Sequence, residues 1–162
     1  MSKKKTILTR IARFLPMILI MAAIFAFSAM PGEESGNASG SIVKVVVEVV
    51  EKVSHEAVTE DRTETIHFVI RKIAHFTEFM ILGMTAVLAF YNKGRKWLYN
   101  FLLPAVVSAV YAMSDEFHQM FVADRGPSVR DVCIDSTGAL TGAVIILLAV
   151  HFHYVKRNSQ QL

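Results

Sequence analysis

Four long apolar runs divide this chain, at about residues 11–30, 68–91, 97–119 and 131–154. Each has the length, roughly 17 to 25 residues, that a helix needs to cross a bilayer core about 30 Å thick. A backbone inside lipid must satisfy its own hydrogen bonds, so runs of this length predict helices. Four of them predict an all-α membrane bundle in one domain spanning residues 1–162. Pro16 falls near the start of the first run, where a missing amide hydrogen bond costs least.

Between the first two runs the pattern changes. Pro31 to Ser41 is rich in Gly and Ser and reads as a turn and loop. Residues 42–57 carry many β-branched side chains, which makes a strand the competing assignment, but the spacing favours a helix. Ile42, Val43, Val46, Val50, Val53 and Ala57 share one face, and Lys44, Glu48, Glu51, Lys52 and His55 share the other. Glu48 and Lys52 also stand in the supportive i, i+4 order. Such an amphipathic helix is expected to lie flat on a membrane interface, over the mouth of the bundle.

Charge orients the runs. Ten of the seventeen Lys and Arg lie in three groups that contain no Asp or Glu. Lys3, Lys4, Lys5, Arg10 and Arg13 precede the first run; Lys93, Arg95 and Lys96 separate the second and third; Lys156 and Arg157 follow the fourth. Short loops rich in Lys and Arg stay in the cytoplasm, so both termini are expected inside and the acidic segments outside. Tyr91, Trp97, Tyr99 and Tyr154 then fall at inner interfaces, where amphipathic rings settle. The first run also resembles a signal segment, with small residues at Ser28 and Ala29. It is longer than the usual apolar region, however, and Pro31 is unfavourable after a cleavage point, so a retained span is expected.

Composition agrees with a membrane protein: 53% of the 162 residues are hydrophobic and the mean hydropathy is +0.42. The net charge of +3 and isoelectric point near 9.1 do not indicate nucleic acid, because the cations sit at membrane edges rather than along one aromatic-studded face. Cys133 is the only cysteine, which rules out an intrachain disulfide, and it reads as a small buried side chain.

Ionisable residues inside a span are costly and are therefore candidates for function. Lys72, His75 and Glu78 recur every three residues on the second span, spread over about 120° of one face. On the third span Ser108, Tyr111, Asp115 and Gln119 form a stripe flanked by Glu116 and His118. On the fourth, Asp131 and Asp135 lie one turn apart, and Gly138 and Gly142 continue that face with the spacing that lets helix backbones approach. Arg125 and Arg130 belong to the turn containing Gly126 and Pro127. The charge-based orientation gathers all these groups at the outer end. Ser108 and Tyr111 read as packing groups, and His55, His67, His151 and His153 fall outside the cluster.

Several chemistries fit such a set. Lys72, Arg125 and Arg130 suit a phosphate or carboxylate, with Gln119, Asp131 and Asp135 completing the ligand-binding set. His75 is the best proton carrier near neutrality, and Glu78, Asp115 and Glu116 are its partners in a hypothetical catalytic set. His75, Glu78, Asp115 and Glu116 are also types that coordinate divalent cations, but no compact zinc motif is present, and no metal and no cofactor is assigned. The plain alternative is interhelical cohesion, worth about 0.6 kcal/mol per polar contact. In that case Lys72 with Asp131, and Arg125 with Glu116, merely neutralise one another.

The segments Lys72-Ile-Ala-His75-Phe-Thr-Glu78-Phe79, Asp115-Glu116-Phe-His-Gln119 and Arg125 followed by Asp131-Val-Cys-Ile-Asp135-Ser-Thr-Gly138 resemble the VanZ-like membrane protein family. So does Phe27-Ser28-Ala-Met-Pro31-Gly-Glu-Glu-Ser35. Phe79 stands where the family often has Tyr, and Asp135 where it often has Asn. The resemblance implies an integral protein of a bacterial cell membrane, and for some members low-level resistance to lipid-tailed glycopeptide antibiotics such as teicoplanin. It supplies a phenotype and no reaction.

The expectation is therefore a four-helix membrane bundle with both termini cytoplasmic and an interfacial helix in the first outer loop. Its outward pocket would bind an anionic lipid or a lipid-linked envelope precursor, with no role for nucleic acid. The alternatives are an enzyme acting on a lipid-linked phosphate or head group through His75 and a carboxylate, and a small transporter. Against the transporter, the inner halves of spans two and four offer mainly Thr85, Thr141 and apolar residues. Oligomeric state is not legible.

Overall fold

The computed structural model describes residues 11–123, 125, 126 and 128–159, with side chains at all of these except 32–39, 154, 155 and 157–159. Lys3, Lys4, Lys5, Arg10 and Pro127 lie outside the described residues, as do the side chains of Tyr154 and Arg157. Among the described residues there are five α-helices and no strand: α1 Leu15–Ser28, α2 Gly32–Ser54, α3 Glu60–Phe90, α4 Trp97–Gln119 and α5 Val129–Ser159. Three are long and apolar enough to cross a membrane: α3, α4 and the Val129–His153 part of α5. The first run is observed as α1, which is apolar but only 14 residues long.

The Gly- and Ser-rich stretch is helical rather than a loop. Its helix starts at Gly32, behind Pro31 in extended conformation, and continues into the amphipathic segment as one 23-residue element. The strand alternative fails, as the 3.6-residue spacing required. α2 ends at Ser54, three residues before the expected boundary. His55 adopts a left-handed backbone with φ of 58° and donates its N–H to the Glu51 carbonyl. Glu51 then turns back, its Oε1 accepting the Val58 N–H at 3.0 Å, so a residue assigned to the solvent face instead clips the α2–α3 connection.

α3 is the central element, packed against α1, α2, α4 and α5, and its contact with α5 is the most extensive in the molecule. That contact is made backbone to backbone. A Cβ on Gly138 would collide with the Phe76 carbonyl oxygen, one on Gly142 with that of Met80, and one on Gly83 with that of Ala139. Phe76 opposite Gly138 and Met80 opposite Gly142 give one constant register, so α3 and α5 run parallel. α4 packs against both of them.

The apolar side chains face the wrong way for a water-soluble protein. The buried core is built of small residues, Ala86, Ala89, Ala112, Ala139 and Ala143 among them, around Phe79, Leu82 and Val87. Large ones point outward: Ile18, Leu19, Phe25, Leu88, Val106, Val110, Met113 and Leu148 are each about half exposed. Lipid solvates such a surface, and small residues at the helix seams are how bundles cohere where no hydrophobic drive acts between helices. Cys133 belongs to this outward surface rather than to the core. It lies two residues from both Asp131 and Asp135, which turns it away from the helix face that they share.

If the α3–α5 seam needs bare backbone, Gly142→Ala lowers stability by about 1–3 kcal/mol, the usual cost of overpacking. Gly40→Ala on α2 meets nothing within 4 Å and is neutral or slightly stabilising, because Ala is the better helix former. Thermal unfolding of both variants in detergent separates the two outcomes.

Candidate functional site

The polar groups meet at one end of the bundle, where α1 and α4 finish and the first halves of α3 and α5 lie alongside them. Parallel packing of α3 on α5 sets Lys72 against Asp131, and the two form an ion pair with side chains 19% and 17% exposed. Phe68, one turn before Lys72, lies under both Lys72 and Arg130, with cation-to-ring distances of 5.1 and 5.7 Å. The next turn of α3 carries His75 and Glu78, whose Nδ1 and Oε2 are 3.9 Å apart.

α4 contributes three buried groups, Asp115, Glu116 and Gln119. Asp115 Oδ2 accepts hydrogen bonds from Ser28 Oγ of α1 at 2.7 Å and from Gln119 Nε2 at 3.0 Å. Glu116 Oε2 accepts the backbone N–H of Ser128 at 2.8 Å, which ties the end of α4 to the start of α5. Glu116 therefore holds the turn in place instead of pairing with Arg125 as the bland reading had it. Arg125 Nη2 points to the Phe27 carbonyl at 3.5 Å, and its Nε is buried with no partner among the described residues. Burial, together with the like charge of Arg71, weakens the hold of Arg125 on its proton.

Beside these groups lies a cavity of about 330 Å³ lined by Arg71, Lys72, His75, Gln119, Arg125, Arg130 and Asp131, with Phe68 and Ser128. Among the described residues four cations and one carboxylate form its charged wall, and that carboxylate is already taken by Lys72. Arg71 is the cation that the sequence reading passed over. It stands at i, i+4 and i+7 with His75 and Glu78, a spacing that places it on the same face.

Deeper than the cavity, His75, Asp115 and Asp135 each bring a nitrogen or oxygen within 4.8 Å of the others. Asp135 is 2% exposed. His75 Nδ1, Asp115 Oδ1 and Asp135 Oδ1 are buried and unpartnered among the described residues. The structure thus divides the ten expected residues in two. Lys72, Arg125, Arg130, Asp131 and Gln119 border the cavity, with His75 shared. Asp115 and Asp135 lie behind it, with Glu78 beside His75 and Glu116 reaching from α4 to the turn at Ser128.

Tyr111 and Ser108 lie deeper on α4, and Ser108 Oγ has no hydrogen-bond partner among the described residues. Tyr111 donates to the Met21 carbonyl at 2.6 Å and its ring packs against Phe79, while Ser108 is wholly buried. His118 stacks on Phe25 at 4.3 Å. Phe79 is fully enclosed in apolar surroundings, so a hydroxyl there would have to find a new partner.

This disposition can be set beside known proteins. A family model described as VanZ/LLP1 matches residues 14–150, a range that takes in every residue of the site. The chain belongs to the VanZ-like family. No curated protein and no solved structure matches it. With three helices able to span a bilayer, this VanZ-like chain is a membrane protein.

Removing one partner of the Lys72–Asp131 pair leaves a charge stranded in a poorly solvated place. Lys72→Met is expected to destabilise by about 1–3 kcal/mol, and adding Asp131→Leu recovers most of the loss. A double-mutant cycle on detergent-solubilised protein reads this coupling directly.

Proposed function

We propose that this VanZ-like protein is a four-span protein of the bacterial cell membrane whose outward-facing pocket binds the anionic head group of a lipid or lipid-linked envelope precursor. Binding there would contribute to resistance to lipid-tailed glycopeptides such as teicoplanin. The observation that carries the reading is the cavity with Arg71, Lys72, Arg125 and Arg130 on its wall and Asp131 as the sole acid among the described residues that line it. Arginine forks and a lysine point charge together recognise phosphate well. The exposed apolar belt just below supplies the surface against which acyl or prenyl chains would lie.

Four crossings, with α1 as the first, are supported by its contacts at both heights of the bundle. Phe14, just before α1, packs edge-on against Phe90 at 5.3 Å, and Ser28 at its end reaches Asp115. Arg13 Nη1 donates to the Tyr91 carbonyl at 3.4 Å, keeping a cation with the Lys93 loop, away from the cavity. Trp97 and Tyr99 are exposed at that same end. Cytoplasmic termini and an outward cavity follow from these cations by the positive-inside rule. α2, with its charged face and its packing on α3, would lie at the outer interface.

A conduit is disfavoured, because the hydroxyls toward the other end serve their own helices. Thr85 donates to the Ile81 carbonyl at 2.9 Å and Thr141 to that of Thr137 at 2.8 Å. The catalytic reading keeps one supporting observation, the His75–Glu78 pair beside the cavity.

Native mass spectrometry of protein exchanged into phosphatidylglycerol or phosphatidylcholine tests the binding. Wild type should retain phosphatidylglycerol preferentially, and Arg71→Gln and Arg125→Gln should each weaken retention about fivefold, from roughly 1 kcal/mol per cation. Equal retention of both lipids by wild type defeats the proposal.

Orientation has its own test. Gly126→Cys in a Cys133→Ser background should react with a membrane-impermeant maleimide in intact cells. Labelling only after lysis would place the cavity on the cytoplasmic side.

A further inference from the structure

We infer that His75, Asp115 and Asp135 form a binding site for one divalent transition-metal ion of the zinc class, at the base of the cationic cavity. Three ligand-type atoms from three different helices lie within 4.8 Å of one another. A tetrahedral ion with bonds of about 2.0–2.2 Å holds its ligand atoms about 3.3–3.6 Å apart, so the three side chains would draw in by up to about 1.5 Å to grip it. Asp115 and Asp135 are each 2% exposed. Both keep an Oδ1 with no hydrogen-bond partner among the described residues, and His75 Nδ1 has none either, Glu78 Oε2 standing 3.9 Å from it. Buried polar atoms are nearly always satisfied, and three residues that each keep an unsatisfied atom while bringing ligand-type atoms within 4.8 Å of one another mark the place of something that satisfies them.

The charges agree. Two carboxylates facing each other in a membrane bundle repel strongly, and a dication between them with a neutral imidazole makes the set electroneutral. The donor types select the ion, since imidazole with carboxylate suits Zn²⁺ or Mn²⁺ while Mg²⁺ and Ca²⁺ prefer oxygen alone. Ser28 and Gln119 hold Asp115 by its Oδ2 and leave Oδ1 free, the supporting arrangement that metal carboxylates use. Because His75 also borders the cavity, an ion held there keeps a coordination position on that side. This site stands whether or not the cavity takes a lipid.

Protein purified in mild detergent, stripped with chelator and dialysed against zinc chloride gives the stoichiometry by elemental mass spectrometry and the affinity by calorimetry. Wild type and Glu64→Gln, an exposed control, should each take up close to one Zn²⁺ per chain. Asp135→Asn and Asp115→Asn should bind at least tenfold more weakly, and Ser28→Ala about tenfold more weakly through loss of support. Zinc should raise the melting temperature of wild type but not of Asp135→Asn; should Asp135→Asn not fold, His75→Gln gives the same reading. Uptake well below one ion by wild type, equal affinity in wild type and Asp135→Asn, or preferential binding of Mg²⁺ or Ca²⁺ overturns the inference. None of these readouts involves lipid, so failure here and failure of the anion pocket are separate results.

Discussion

The close approach of α3 and α5 is the constraint on which the rest depends. In lipid no hydrophobic force pulls helices together, so cohesion comes from dispersion between surfaces that fit and from polar contacts across the seam. Gly83, Gly138 and Gly142 remove every side chain that would keep the two backbones apart. The resulting parallel register carries upward along both helices. It sets Lys72 against Asp131 and His75 near Asp135, pairs that a wider seam would separate. Packing in the middle of the bundle thus fixes electrostatics at its end.

Given that geometry, the polar groups fall into those whose bonds are complete and those with an atom left over. Glu116 is committed to the Ser128 amide, Lys72 to Asp131, and Asp115 Oδ2 to Ser28 and Gln119. These bonds tie α1, α3, α4 and α5 together and shape the cavity. The leftover atoms, on His75, Asp115, His118, Asp135 and Arg125 at this end and on Ser108 deeper, have no hydrogen-bond partner among the described residues and so do nothing for cohesion. A bundle that needed polar residues only as glue would have little reason to bury them. An isolated buried polar group is expensive, and the concentration of such groups at one level is better explained by a bound species than by packing.

Much of this was legible in the sequence because two periodicities carry it. The apolar runs gave the long helices, and charged residues at helical spacing within those runs gave the cluster, so His75, Asp115 and Asp135 could be grouped before their distances were known. What could not be read was the work of each side chain. Glu116 differs from Asp115 by one position in sequence, yet one caps a turn and the other faces the interior, a distinction set by the rotation of α4 against α1. Ser28 was visible only as a small residue after an apolar run, because its partner lies on α4. Arg71 was overlooked beside the more conspicuous Lys72. Residues 32–41 misled because Gly and Ser signal turns locally, whereas here they continue a helix whose later part packs on α3. Cys133 was placed inside for being small, but the face shared by Asp131 and Asp135 leaves it on the outside.

The opposite end of the molecule sharpens the meaning of this site. There the polar groups close on themselves: the Asn92 N–H donates to Asn100 Oδ1 at 3.0 Å, and Asn100 Nδ2 returns a bond to the Asn92 carbonyl at 3.1 Å. The cavity at that end, about 640 Å³, is lined largely by apolar residues such as Phe101, Val144, Leu147 and Leu148. Between the two ends Phe79, Leu82, Ala86 and Val87 fill the interior without a polar atom in their side chains. A charged species entering beside Arg125 therefore finds its charged partners concentrated at one level, with the hydroxyls of Tyr111 and Ser108 deeper on α4 and the cations Lys93 and Arg95 only at the far end. That profile fits the proposal of a head group held at one face with its chains in lipid. Binding at a single face, rather than passage, is what this distribution of polar atoms favours.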